Sequence, residues 1–183
     1  MQQEAHELLD RIARGDESAL GDFYRAFEGP VYRFVLSRLN DSFEAADIVN
    51  EVMMEVWRHA ARFEGRSKVT TWVFGIARHK TIDRLRKRRP DHGEELDENL
   101  PDDDSPDPVA CLVAAENAEF IRLCMERLSE PHREVVHLAF FEDLPYAEIA
   151  GIVDCPEGTV KTRMFHAKKA LQRCLQRLIG DRP

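Results

Sequence analysis

Long hydrophobic runs are missing from this 183-residue chain, and no stretch approaches the roughly 18 apolar residues of a membrane helix. The first residues, MQQEAHELLDRIARGDE, are charged and contain no signal-peptide core. The expectation is a cytoplasmic protein with no membrane insertion. Cysteine is scarce: Cys111, Cys124, Cys155 and Cys174 form no CxxC pair, and the seven histidines show no metal-ligand spacing. These thiols read as buried and free, with a redox or metal role as the alternative. There is no GxxxxGK[ST] loop and no cluster of catalytic carboxylates. No cofactor, no metal and no catalytic residue is therefore expected, and the chain does not read as an enzyme. Sustained polar/apolar alternation is also absent, which excludes an extended sheet and leaves an all-α protein.

The net charge of −8 is unevenly spread. Residues 1–89 hold 16 Lys/Arg against 14 Asp/Glu, and residues 110–183 hold 10 against 11. Residues 90–109 hold nine acids and no Lys or Arg. The acidity is thus the property of one segment and leaves room for basic faces elsewhere. That segment, with three prolines and almost no apolar content after Pro90, cannot bury a core and reads as a flexible, self-repelling linker. It divides the chain into a domain over 1–90, a linker over 91–109 and a domain over 110–183.

The first domain reads as four helices. Residues 8–27 carry Leu8, Leu9, Ile12, Leu20 and Phe23, with a break at Gly15-Asp16. Gly29-Pro30 opens a second helix that ends at Asn40-Asp41-Ser42. A third spans 44–62, with Ile48, Val49, Val52, Val56, Trp57 and Ala60 on one face. Its outward row of Asp47, Asn50, Glu51, Met54 and Glu55 is either solvated surface or a partner site. After the loop FEGRSKVT, a fourth helix over 71–88 points Trp72, Val73, Ile76, Ala77, Ile82 and Leu85 inward. It becomes steadily more basic through Arg78, Lys80, Arg84, Arg86, Lys87, Arg88 and Arg89, a composition suited to nucleic acid. Trp72 is a core residue or a base-stacking one.

The second domain begins near Val109 with an amphipathic helix through Leu112, Ala115, Ala118, Ile121 and Leu128. Ser129-Glu130-Pro131 breaks it, and 132–141 forms another helix with Val135, Val136, Leu138, Ala139 and Phe140 or Phe141 inward. Then comes YAEIAGIVDCPEGTVKTRMFHAKKAL. A short helix to Val153, a turn through Asp154–Gly158 and a long helix capped at Thr159 describe a helix-turn-helix. Val160, Met164, Ala167 and Leu171 form the core stripe of the long helix. Lys161, Thr162, Arg163, Phe165, His166 and Lys169 lie off it. Cations meet phosphates, and Thr or Phe touches a thymine methyl, so this face suits the major groove. A bundle corner with a solvated basic face is the plain alternative.

Four stretches in this order resemble the extracytoplasmic-function sigma factors of bacterial RNA polymerase: AADIVNEVMMEVW, FEGRSKVTTWVFGIARHKTIDRLRKRR, LSEPHREVVHLAFFEDLPYAEIAGIV and CPEGTVKTRMFHAKKAL. The resemblance covers about 8–90 and 110–178. It implies two small helical domains joined by a flexible acidic linker, the C-terminal one a helix-turn-helix. The implied partners are core RNA polymerase, promoter DNA and an anti-sigma factor. By residue, it implies polymerase binding through Asp47, Asn50, Glu51 and Met54. It implies −10 recognition and strand opening through Arg66, Ser67, Lys68, Thr71, Trp72, Arg78, Lys80, Arg84 and Arg86. It implies −35 recognition through Lys161, Thr162, Arg163, Phe165, His166 and Lys169. The family more often has Gln at the place of Asn50 and often Arg at that of His166; a neutral imidazole does not supply Arg's bidentate fork. A sensory domain joined to a helix-turn-helix activator fits the basic, Trp-containing 63–89 segment less well, and a recombinase would need clustered acids or a nucleophile.

The acidic segment is either a plain spacer or a nucleic-acid mimic lying in a basic polymerase channel. Neutralising Asp102, Asp103 and Asp104 distinguishes them: abortive transcription changes for a mimic and stays the same for a spacer.

Overall fold

The computed structural model describes residues 2–88 and 118–180. The acidic linker and the expected helix start from Val109 to Ala115 lie outside the described residues, as does Arg89. The described residues contain eight α-helices and no strand: α1 Gln2–Ala13, α2 Glu17–Leu39, α3 Ser42–His59, α4 Val69–Arg88, α5 Ala118–Glu126, α6 Glu130–Phe140, α7 Tyr146–Val153 and α8 Glu157–Gly180, with a 3₁₀ turn at Ala60–Arg62. No described helix is long and apolar enough to cross a membrane. The described residues form two compact units, one of residues 2–88 with 147–155 and one of 118–146 with 156–180.

In the first unit, side-chain caps set the helix starts. Asp16 Oδ1 accepts the Ala19 N–H at 3.1 Å, and Arg11 Nε donates to Asp16 Oδ2 at 2.9 Å. These bonds, the backbone N–H first, hold the Asp16 carboxyl below the usual carboxylate range. Asp41 Oδ1 accepts from both Phe43 and Glu44 N–H at 3.0 Å and opens α3. Between the caps, Asn40 closes α2 in the left-handed region (φ 49°), its N–H bonded to the Leu36 carbonyl.

Pro30 does not begin a helix as its sequence neighbours suggest; α2 runs straight through it. A proline inside a helix costs about 3 kcal/mol. The seam Phe23, Phe27, Val31, Phe34 and Val35 is buried on both sides of Pro30. Five such side chains stabilise by about 1.5–3 kcal/mol each, which exceeds the proline penalty. Helix α3 buries Ile48, Val49, Val52, Met53 and Val56, while Trp57 is only half-buried. Helix α4 buries Val69, Val73, Phe74, Ala77 and Thr81. This seam is rotated from the expected one: Trp72, Ile76, Ile82 and Leu85 are only half-buried. The rotation follows Phe74, whose ring meets Phe34 edge-on at 5.4 Å, and Thr81, whose hydroxyl donates to the Ala77 carbonyl at 2.7 Å and so enters the core satisfied.

The second unit is built on α8, which packs against α5 and α6. Val160, Met164, Ala167, Leu171 and Leu175 form its buried stripe, against Val135, Val136 and Leu138 of α6 and Met125 of α5. One expectation fails on α6: neither Phe140 nor Phe141 turns inward, at 40% and 51% exposure, while Glu134 and His137 are buried. A further one fails at the cysteines. Cys124 of α5 and Cys174 of α8 form a disulfide, 50 residues apart in sequence, in which Cys155 takes no part.

Closing a loop of that length removes unfolded-chain entropy worth about 4 kcal/mol. Reduction, or Cys174→Ser, is expected to lower the stability of the second unit by about that amount, read as a lower midpoint in urea unfolding with a reductant than without. Pro30→Ala, which restores a helix hydrogen bond without touching the buried seam, should raise the stability of the first unit by up to about 3 kcal/mol, read as a higher urea midpoint.

Candidate nucleic-acid and polymerase interfaces

Two surfaces carry the residues singled out in the sequence. The first lies on α3 and α4. Asp47, Asn50, Glu51 and Met54 are all exposed on α3, Met54 at 48%. Their spacing of three, four and seven residues puts them on one helical face. Asn50 Oδ1 accepts a hydrogen bond from the Tyr24 hydroxyl at 3.5 Å. Phe43, which sequence reasoning passed over, is 85% exposed one turn earlier. Its signal was there: it lies off the Ile48–Val52–Val56 stripe, two residues after the capping Asp41.

Between α3 and α4 is a cleft of about 380 Å³, lined by Glu55 and His59 of α3 and by Trp72, Ile76, His79 and Asp83 of α4, among others. Trp72 rests on Phe63, ring centroids 5.2 Å apart, which sets its plane at the cleft wall. The loop before α4 turns at Gly65 (φ 69°), a conformation that disfavours any side chain there. Arg66, Ser67 and Lys68 follow on the exposed loop, with Arg66 paired to Glu64. Thr71, expected among the strand-contacting residues, is instead buried, at 8% exposure. Arg78, Lys80 and Arg84 are half-buried, and Arg86 is exposed.

Several of these cations face acids of α3 rather than open solvent. Lys80 Nζ lies 3.6 Å from Glu51 and 3.8 Å from Glu55. Arg84 Nη2 donates to Glu51 Oε1 at 2.9 Å, and its Nη1 lies 3.8 Å from Glu44. Arg88 pairs with Glu44, lies 3.2 Å from Asp41, and donates to the Leu39 carbonyl at 3.1 Å, closing the end of α2. Neither Lys80 nor Arg84 was expected to share a partner with the polymerase-facing row; here Glu51 joins the two sets.

The second surface is the turn before α8 and its first turns. Asp154 takes the left-handed conformation (φ 53°), and the Cys155 N–H bonds to the Ala150 carbonyl at 3.2 Å, ending α7. Thr159 is not the cap: α8 begins at Glu157, and the Pro156 carbonyl accepts the N–H groups of Thr159 and Val160. Outside the buried stripe, Lys161, Thr162 and Phe165 are exposed, while Arg163, His166 and Lys169 are half-buried. Lys161 Nζ pairs with Glu157 at 2.8 Å, and this bond holds the ammonium pKa above its ordinary value. The Thr162 hydroxyl donates to the Gly158 carbonyl at 3.1 Å. Lys169 lies 5.9 Å from the Phe165 ring centroid. On α6, His132 faces His166 at 6.2 Å. Burial first, then the neighbouring His166 and Arg163, hold the His132 imidazole below its ordinary pKa of 6.5.

An imidazole that resists a proton when folded but accepts one when unfolded makes stability fall as pH drops through about 6.5, and leaves it intact above. Denaturant unfolding near pH 7.5 and near 5.5 is therefore expected to show a less stable second unit in acid, with His132→Gln narrowing the gap.

Residues 23–90 match the family of sigma-70 region 2, and residues 120–171 match sigma-70 region 4. The RNA polymerase sigma-H factor of Pseudomonas aeruginosa is 29% identical, the alignment covering 98% of each chain. The ECF RNA polymerase sigma factor SigW of Bacillus subtilis is 28% identical over 97% of this chain and 100% of that one. The structure of the sigma factor RpoE with the anti-sigma factor NepR, from Bartonella quintana, shares the fold, with a TM-score of 0.63 at 23% identity over 88% of this chain and 99% of that one.

Proposed function

The chain belongs to the extracytoplasmic-function sigma factors of bacterial RNA polymerase, and from that membership we propose how its residues divide the work of initiation. Residues 1–90 dock on core polymerase and hold the opened −10 strand, residues 91–109 are a tether, and residues 110–183 read the −35 duplex. The observation that carries this reading is a cleft of about 380 Å³ walled by Trp72, beside cations on α4, together with a basic helix-turn-helix sequence that ends in α8, both in one chain. Promoter-specific initiation requires both a reader of paired bases and a holder of unpaired ones.

On α3, Asp47, Asn50, Glu51 and Met54 supply the polymerase contact, and the exposed Phe43 adds an apolar anchor beside them. The α3–α4 cleft accepts an extruded base against Trp72, while Arg66, Ser67 and Lys68 on the loop and Arg78, Lys80, Arg84 and Arg86 on α4 follow the phosphates. Unstacking a base costs a few kcal/mol, and binding the freed strand offsets it. No nucleotide hydrolysis is invoked; the protein acts as an initiation factor, in the cytoplasm, with no catalytic step of its own.

On α8, Lys161, Arg163 and Lys169 meet phosphates, while Thr162, Phe165 and His166 face base edges. The Thr162 hydroxyl is already engaged by its own helix, which leaves its methyl group, with the exposed Phe165 ring, as the apolar contacts for a thymine methyl. An anti-sigma factor, as in the RpoE complex, controls access to these surfaces.

Reconstitution with core RNA polymerase on a randomised promoter library tests the reading: open complexes should form selectively, and a folded, inhibitor-free chain that does not bind core polymerase refutes it. Within such complexes Lys169→Ala is expected to weaken binding evenly across sequences and reduce the salt slope by about 1. Phe165→Ala should relax selection at a single −35 position.

A further inference from the structure

Glu51 stands on the polymerase-facing row of α3, yet its carboxylate is occupied within the chain. Oε1 accepts from Arg84 at 2.9 Å and Oε2 lies 3.6 Å from Lys80. Arg84 and Lys80 in turn are two of the cations assigned to the opened strand. One carboxylate therefore sits between the two surfaces that the protein uses in succession. Its side chain is 44% exposed, so a partner covering Asp47, Asn50 and Met54 on the same face reaches it. The Arg84 side chain is 24% exposed, held along α4 between Glu51 and Glu44.

The geometry points to Glu51 as an exchange residue: in the free chain it occupies Arg84, and when α3 docks on a cationic surface of core polymerase it releases Arg84 to the phosphates of the single strand. This rests on the assignment of α3 to polymerase and α4 to the strand made above. The physical reason is that one carboxylate does not give full-strength pairing to an external cation and to Arg84 together. Whatever draws Glu51 outward raises the positive potential on α4. By linkage the effect is reciprocal: strand bound to Arg84 frees Glu51 for polymerase. The pair is partly exposed and screened by salt, which sets the effect at about two- to five-fold rather than orders of magnitude. Glu44 stays behind to keep Arg84 aligned along α4, and the Arg88 contacts with Asp41 and the Leu39 carbonyl hold the end of α4 in place.

The test is a double-mutant cycle on the full chain, free and bound to core RNA polymerase. The probe is a fluorescent single-stranded DNA oligonucleotide of mixed sequence, titrated at several salt concentrations. In the free chain, Arg84→Gln is expected to cost less than about two-fold in strand affinity, because Arg84 is occupied. In the free Glu51→Gln chain the same Arg84→Gln change should cost about two- to five-fold. Glu51→Gln alone should steepen the salt slope by about 0.7, the increment for one further phosphate contact on single-stranded DNA. A purely structural clamp between α3 and α4 would lower the unfolding midpoint and leave that slope unmoved. Neither side chain belongs to the apolar core, and each is replaced by a neutral polar one, so the variants are expected to fold. An Arg84→Gln cost that is the same with and without Glu51 overturns the exchange. An Arg84→Gln cost that is absent even in the polymerase complex instead overturns the strand-facing assignment beneath it.

Discussion

The edge-on contact between Phe34 of α2 and Phe74 of α4 fixes the rotation of α4, and much of the first unit's surface depends on that rotation. Helix α4 has little amphipathic contrast of its own, with Gly75, Ala77 and Thr81 among its residues and cations at its end. With Phe74 seated in the core, Val73, Ala77 and Thr81 follow it inward. Trp72, Ile76 and Asp83 then border the cleft, and Lys80 and Arg84 reach the acids of α3. A rotation by one residue position, about 100°, would bury Trp72 and turn the cations away from α3. A helix that must present aromatic, apolar and charged groups outward needs an anchor elsewhere, and a buried ring supplies it.

The same separation of anchor from working face recurs on α8. Its stripe from Val160 to Leu175 is closed against α5 and α6, and the side chains left outside the stripe are mainly basic, with one exposed ring. Around that ring the charges are held by local contacts: Lys161 with Glu157, and Lys169 near Phe165. Each pairing restrains a long side chain before any partner arrives, which reduces the ordering cost of binding.

How legible this was in the sequence depended on how strongly each helix separates its faces. Helices α3 and α8 repeat apolar residues every three or four positions, and their buried sets were read nearly as found; Trp57 is the exception on α3. On α4, Val73 and Ala77 read inward and are buried, whereas Trp72, Ile76, Ile82 and Leu85 also read inward and are only half-buried, since Phe74 and the hydroxylated Thr81 fill the core instead. Pro30 was read as a start because its local signal is strong; only the buried seam on either side of it explains why α2 continues. Thr159 had the right chemistry for a cap but stands two residues inside α8. The Cys124–Cys174 pair has no local signature at all, because a 50-residue separation carries no information until α5 and α8 are packed together. The outward rows on α3 and α8 were legible as surfaces, whereas the internal commitment of Glu51 was not, since ion pairing between helices depends on their rotation.

The position of the disulfide has a consequence for divergence. Cys174 lies 13 residues beyond Lys161 on α8, about 20 Å along the helix axis at 1.5 Å per residue. The covalent brace and the basic first turns therefore sit at different places on one rod. On the −35 assignment proposed above, substitutions at Phe165 or His166 would change recognition while the far end keeps the rod in place. Duplicated copies of such a gene are free to drift in recognition without first drifting in fold.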